Sequence, residues 1–221
     1  MIQQFFMIEQ EVTLLDGQYD FGLVALSLMI AIFASFMAFN VATQAATSTN
    51  KFRKYALLSA GSIAMGGGIW AMHFLGMLAF ELCTAVSYNL GITLASALPG
   101  IASAWVALYL MTKPTITFTE IVTGGVLVGS GIGTMHYSGM AAMEMAPLLR
   151  YSPSLFILSI VVAVSLSMLA LWIKFGLSAV NAKTSRGRDA FISSVVMGLA
   201  IAAMHYTGML AARFVMPPGM E

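Results

Sequence analysis

Met72-His73-Phe74-Leu75-Gly76-Met77, Met135-His136-Tyr137-Ser138-Gly139-Met140 and Met204-His205-Tyr206-Thr207-Gly208-Met209 decide how this chain is read. The sequence has three histidines, and each stands in one copy of this pattern. In every copy a methionine precedes the histidine and an aromatic residue follows it, with glycine three positions on and methionine four on. Residues four apart share one face of a helix, so His73 stacks with Met77, His136 with Met140 and His205 with Met209. Met72, Met135 and Met204 point about 100° away. Gly76, Gly139 and Gly208 leave the histidine face open to close approach by another helix.

The repeat extends beyond the hexapeptide. The histidines are 63 and 69 residues apart, with glycine seven positions before each (Gly66, Gly129, Gly198) and isoleucine four before (Ile69, Ile132, Ile201). Each copy therefore belongs to a larger unit, and three such units fill the chain. Internal repeats of this kind are common in membrane folds. The spacing leaves open whether the units close into a ring or stand in a row.

The 221 residues are 59% hydrophobic and 9% charged, far too apolar for a soluble domain of this length. The net charge of +1 says nothing of partners, and with no basic cluster suited to nucleic acid, no such partner is expected. Cys83 is the only cysteine, so no internal disulfide can form. No basic residue precedes the first apolar run, so residues 1–19 do not read as a cleaved signal peptide. They carry Glu9, Glu11 and Asp16, with Phe5, Phe6, Ile8, Leu14 and Leu15 able to lie along a membrane surface.

Six apolar stretches follow: Phe21–Thr43, Tyr55–Phe80, Leu90–Met111, Phe118–Met143, Ser154–Phe175 and Ala190–Val215. Each is long enough to cross a hydrocarbon core of about 30 Å as a helix. Helices satisfy their own backbone in lipid and open sheets do not. The expected fold is therefore an all-α polytopic membrane helical bundle, six transmembrane helices in three two-helix repeats.

Lys51, Arg53, Lys54, Lys113, Lys174, Lys183, Arg186 and Arg188 fall on one side of these spans, and only Arg150 and Arg213 on the other. The positive-inside rule makes the first side cytoplasmic and the N-terminus outside. All three motif helices then run outward, with their histidines at one depth near the outer surface. Eight positions after the histidines stand Glu81, Glu144 and Arg213. They could form a charge-assisted network at the mouth, or be ordinary headgroup-level charges.

A histidine inside a span is costly and usually functional. A single one could simply bond a neighbouring helix; three at matching depth and phase point to a metal or cofactor site. Imidazole suits Zn, Cu, Fe and Ni, and thioether selects Cu(I), so His73, Met77, His136, Met140, His205 and Met209 are the expected metal ligands and copper the expected metal. Many of the 18 methionines must nevertheless be packing residues. Haem is the rival cofactor, since His and Met are both axial ligands; it would be non-covalent, because there is no C-x-x-C-H motif. No nucleophile–base arrangement or phosphate-cradling loop is present, so this chain is not expected to be an enzyme.

At the quoted motifs the chain resembles the MHYT domain, a bacterial integral-membrane sensor domain named for them. The likeness covers residues 15–216. Phe74 and Leu75 depart from the name in the first copy and Ser138 in the second, so Tyr137 and Tyr206 are not carried over as ligands. The resemblance implies a sensor domain over residues 20–216, with motifs near the outer face, binding copper and sensing copper, redox state or a diatomic gas (O2, CO or NO). An external segment 1–19 would precede it, and an external tail 217–221 would stop short of a seventh span. It further implies a multi-pass protein of the bacterial cytoplasmic (inner) membrane, signalling to cytoplasmic GGDEF and EAL domains of cyclic di-GMP metabolism that this chain lacks. Expected partners are the lipid bilayer, a metal ion or gas, those domains and, as one option, a second copy in a homodimer. The competing reading is a copper or electron transport protein. Transport needs a polar route across the membrane, and Glu120 alone suggests one in the inner halves of the motif helices. A third reading is a membrane anchor whose motifs only pack.

Overall fold

A computed structural model describes residues 5–6, 14–180 and 186–216, with the side chains of 176–190 left out of the description. The helices are α1 (Phe21–Thr47), α2 (Lys51–Leu78), α3 (Leu90–Ala95), α4 (Ala97–Met111), α5 (Phe118–Met140), α6 (Pro153–Val180) and α7 (Arg186–Ala211). Six spans of sufficient length and apolarity result, with α3 and α4 together forming the third. The chain is a multi-pass, all-α membrane bundle. Lys183 and the tail 217–221 lie outside the described residues, as do Ile8, Glu9 and Glu11.

The six spans form a closed ring. The motif helices α2, α5 and α7 meet one another at the centre. The outer helices fill the gaps: α1 between α2 and α7, α4 between α2 and α5, α6 between α5 and α7. Each outer helix thus packs on the motif helix of its own unit and on that of the unit before.

The glycines seven positions before each histidine make the second of those contacts. A Cβ on Gly66 would lie 2.5 Å from the Cα of Ile101, one on Gly129 2.6 Å from Val164 Cα, and one on Gly198 2.8 Å from Ile32 Cα. Backbone touches backbone at all three seams, which only glycine permits. The direction is the same each time: unit one onto two, two onto three, three onto one. Threefold repetition with a constant offset closes the ring.

The spans stop earlier than their apolarity suggests. Phe80, Met143 and Val215, expected at the ends of helices, instead stand in short strands: β2 (Phe80–Glu81), β4 (Met143–Glu144) and β6 (Ala212–Val215). Their partners are β1 (Gln18–Tyr19), β3 (Ser87–Tyr88) and β5 (Leu148–Tyr151), each just before its unit's outer helix. Six positions after each histidine, the carbonyls of Ala79, Ala142 and Ala211 accept the backbone N–H of Asp20, Asn89 and Ser152 at 2.8, 2.8 and 2.9 Å. Pairing with a neighbouring strand satisfies the backbone at these ends, so the helix need not continue.

These ribbons gather at one end of the bundle. The described part of the N-terminal segment packs there as well. Phe5 and Phe6 pack edge-on against Phe156, Phe6 bridges Tyr151, and the Leu15 N–H donates to the Phe214 carbonyl at 2.9 Å. These residues cover the ribbon end.

The third span breaks at Ser96. Pro99 has no N–H to offer the carbonyl of Ala95, which interrupts the helix ladder. At the opposite end of the bundle, Thr117 and Glu120 form a capping box at the start of α5, and Glu120 pairs with Lys113. That salt bridge and cap account for Glu120.

The seam glycines give a paired test. Gly129→Ala should destabilise the detergent-solubilised protein by about 1–3 kcal/mol, the usual cost of overpacking. Gly67→Ala, where a Cβ meets nothing within 4 Å, should stay within about 0.5 kcal/mol. Thermal or denaturant unfolding followed by circular dichroism reads both, and equal effects would contradict the seam role.

Candidate metal centre

His73, His136 and His205 come together at the centre of the ring, 0–1% exposed. Their Nδ1 atoms form a triangle: 3.1 Å from His73 to His205, 3.1 Å from His136 to His73 and 3.3 Å from His205 to His136. The common depth and inward phase read from the sequence are both present.

Each ring is seated by the next unit's motif glycine. A Cβ on Gly139 would strike Nε2 of His73, one on Gly208 Nε2 of His136, and one on Gly76 Nε2 of His205. The cyclic offset is that of the seams below. The backbones of Gly208 and Gly76 are the polar neighbours of His136 and His205, yet without hydrogen-bond geometry: all three Nε2 atoms are buried without a partner.

The triangle poses a problem that protons cannot solve. A neutral imidazole nitrogen carries either one N–H or one lone pair, in the ring plane. Three such nitrogens facing one another cannot all be satisfied, whichever tautomers are chosen. One N–H among three leaves two lone pairs facing each other, and two leave two protons facing each other. Three lone pairs aimed at one point suit a cation. The spacing also suits one: three nitrogens at about 2.0–2.1 Å from a tetrahedral ion stand about 3.3–3.4 Å apart. With a cation there, the protons would reside on Nε2, the atoms seated over glycine backbone.

Apolar layers close both sides. Ile69, Ile132 and Ile201 and the first methionines, Met72, Met135 and Met204, are buried in the main core. The second methionines, Met77, Met140 and Met209, are buried in a separate cluster toward the ribbons, with Tyr151 and Phe214. All six methionines are thus buried, so helical phase alone does not separate the two sets as sharply as the sequence suggests.

Glu81, Glu144 and Arg213 do not form a network. Glu81 stands opposite Gln18, Glu144 accepts from Asn89 Nδ2 at 3.2 Å, and Arg213 donates to the carbonyls of Leu210 and Ala212 at 2.7 and 3.0 Å. The ribbons hold these side chains apart, and no ion pair joins them among the described residues.

The structure also reveals a second repeat. Tyr19, Tyr88 and Tyr151 stand two residues before the outer spans, and Ser27, Ser96 and Ser159 eight residues after those tyrosines. Each tyrosine packs edge-on against the motif aromatic of the preceding unit: Tyr88 on Phe74 at 5.8 Å, Tyr151 on Tyr137 at 5.2 Å and Tyr19 on Tyr206 at 5.7 Å. Burial and then the neighbouring Tyr206 push the phenol of Tyr19 up to about 12, so it stays neutral. Aligning the three units on these tyrosines would have exposed the pattern in the sequence.

The family model described as "bacterial signalling protein N terminal repeat", MHYT, matches residues 11–53, 66–124, 129–188 and 198–221. The chain belongs to the MHYT family. It is 42% identical over 201 residues to the bifunctional diguanylate cyclase/cyclic di-GMP phosphodiesterase MucR of Pseudomonas aeruginosa, covering 91% of this chain and 29% of that protein. Signaling protein YkoW of Bacillus subtilis is 35% identical over 204 residues, 91% of this chain and 25% of its own length. The cyclic di-GMP phosphodiesterase NbdA of P. aeruginosa is 34% identical over 206 residues, again 91% and 25%. The chain therefore spans less than a third of these relatives. No solved structure matches it.

Seating by glycine is testable without any metal. Gly139→Ala should move the ring-nitrogen resonances of His73 more than those of His205 in selectively labelled, metal-free protein, because the three atoms nearest the added methyl all belong to His73. Equal or absent shifts would contradict the seating.

Proposed function

We propose that this MHYT domain is the membrane-embedded sensory module of a cyclic di-GMP signalling protein, and that it holds one copper ion through Nδ1 of His73, His136 and His205. The convergence of the three Nδ1 atoms carries this reading. The relatives named for cyclic di-GMP synthesis and breakdown support the signalling context. The remainder of such a protein would supply the enzymatic output.

Copper follows from the donor set. Three imidazoles suit copper and zinc alike. The thioethers of Met77, Met140 and Met209, buried on the ribbon side, tip the balance to Cu(I). A bound ion would supply a site for redox change or for a diatomic gas, while the chain's own residues orient the rings and keep water out. Nitrogens 3.1–3.3 Å apart would suit a single ion and leave no slot for a macrocycle, which argues against haem.

The site is proposed to lie near the outer face of the cytoplasmic membrane. Lys51, Arg53, Lys54 and Lys113 stand at the end opposite the ribbons, and the positive-inside rule would place that end in the cytoplasm. Sensing is favoured over transport by the layer of Ile69, Ile132, Ile201, Met72, Met135 and Met204 beneath the triad, which offers an ion no polar path. A signal requires that ligand bind two arrangements of the bundle with different affinity. Three rings wedged between units provide that link, since a bound ion would replace opposed lone pairs at 3.1–3.3 Å by coordination at about 3.3–3.4 Å, a slight spreading felt by all three units.

His136→Ala should lower Cu(I) affinity by more than about tenfold, or about 1.4 kcal/mol, with helicity unchanged by circular dichroism. Unchanged affinity in the folded variant would overturn the assignment. In the same chelator competition, Met140→Leu should weaken Cu(I) more than Met135→Leu. The reverse order would give the sulfur role to the opposite layer.

A further inference from the structure

The outer serines make specific polar contacts that join consecutive units beside the triad. Ser27 Oγ lies 2.9 Å from Tyr206 Oη, Ser159 Oγ lies 2.5 Å from Tyr137 Oη, and Ser96 Oγ lies 3.2 Å from Trp70 Nε1. The direction of each bond can be worked out. Every serine already donates its proton one turn back along its own helix: Ser27 to the Val24 carbonyl at 2.7 Å, Ser96 to Thr93 at 2.7 Å and Ser159 to Phe156 at 2.8 Å. A hydroxyl has one proton. All three serines are therefore acceptors across the seam, and the motif helix must bring the donor.

Units two and three bring it as a tyrosine hydroxyl one position after the histidine. Unit one has Phe74 there and cannot. It carries Trp70 three positions before His73, where the other units have Gly133 and Ala202. Trp70 and Phe74 are four apart, on one helix face, with ring centroids at 4.9 Å. The one indole N–H is shared between the Thr93 carbonyl at 2.9 Å and Ser96 Oγ at 3.2 Å. The residue has changed and its position has moved by one turn, yet the donor remains. A contact that only filled space would not require this exchange.

We infer that Tyr137, Tyr206 and Trp70 are positioning residues for the histidine triad, each locking a motif helix to the next unit's outer serine by a donated hydrogen bond. Two of the donors adjoin their histidine directly, and the third is one turn away. Fixing that turn against the neighbouring unit fixes the rotation and height at which each ring meets the other two. This inference rests on the triad being the functional site, as proposed above.

The decisive experiment exploits the exchange in unit one. Trp70→Phe removes the N–H and keeps a ring; Trp70→Phe combined with Phe74→Tyr supplies a hydroxyl at the position used by the other units. Ring-nitrogen resonances of selectively labelled histidines in metal-free protein and Cu(I) affinity by chelator competition are read for each variant. Trp70→Phe and Tyr206→Phe should each shift or broaden the histidine signals and weaken Cu(I) about ten- to hundredfold, the range for residues that orient metal ligands. Adding Phe74→Tyr should return the spectrum and at least half of the lost affinity on a logarithmic scale. Tyr206→Phe with Ser27→Ala should be no worse than the poorer single variant, since each change deletes the same bond.

Histidine spectra unmoved by Trp70→Phe and by Tyr206→Phe would overturn the inference, as would a double variant in unit one no closer to the original than Trp70→Phe alone. The metal-free spectra test the positioning even if the unaltered protein fails to bind copper. That failure would sink the metal reading and leave the positioning to be judged by the spectra.

Discussion

Three imidazole nitrogens facing one another at 3.1–3.3 Å, sealed from water, cannot be reconciled by any placement of protons. Each nitrogen has one direction to offer, and each must face two others. In a soluble site water would relieve the conflict; in the middle of an apolar bundle it cannot. A buried polar atom left unsatisfied costs about 1–3 kcal/mol. The fold tolerates this because the ring of helices holds the motif helices at close range through contacts made elsewhere.

Those contacts share one cyclic sense. The glycine seven residues before each histidine presses on the backbone of the next unit's outer helix, and the glycine three residues after receives the preceding unit's histidine. Ribbon pairing closes each unit on itself at one end of the bundle. Intra-unit pairing and inter-unit offset together leave the helices no freedom to line up in a row. Any event that spreads or tightens the triad must therefore act on all three seams at once, a property suited to a sensor whose output lies beyond the membrane.

Much of this was legible in the residues. Apolar length showed six spans, and the recurrence of Gly66, Ile69 and His73 at fixed spacing in the other units showed three equivalent motif helices. The structure gives these three positions their roles as seam, buried layer and triad. Other features were hidden for physical reasons. Ring closure depends on which unit touches which, and spacing along one chain is silent on that. The ribbons begin inside apolar stretches, so hydropathy carried the helices through Phe80, Met143 and Val215. The serine acceptors went unseen because serine in a span usually only bonds back to its own helix, as these also do. Trp70 is masked because it lies outside the hexapeptide, three positions before the histidine, where the other units carry Gly133 and Ala202.

The central claim is that three histidines from three units coordinate one ion. X-ray absorption spectroscopy of the purified, Cu(I)-loaded protein measures this most directly, alongside copper per chain. The expected result is one copper per chain with three nitrogen neighbours at about 2.0 Å and a longer sulfur contribution from the methionine layer. A spectrum with sulfur ligands alone, or one unchanged when all three histidines are replaced by alanine, would contradict it.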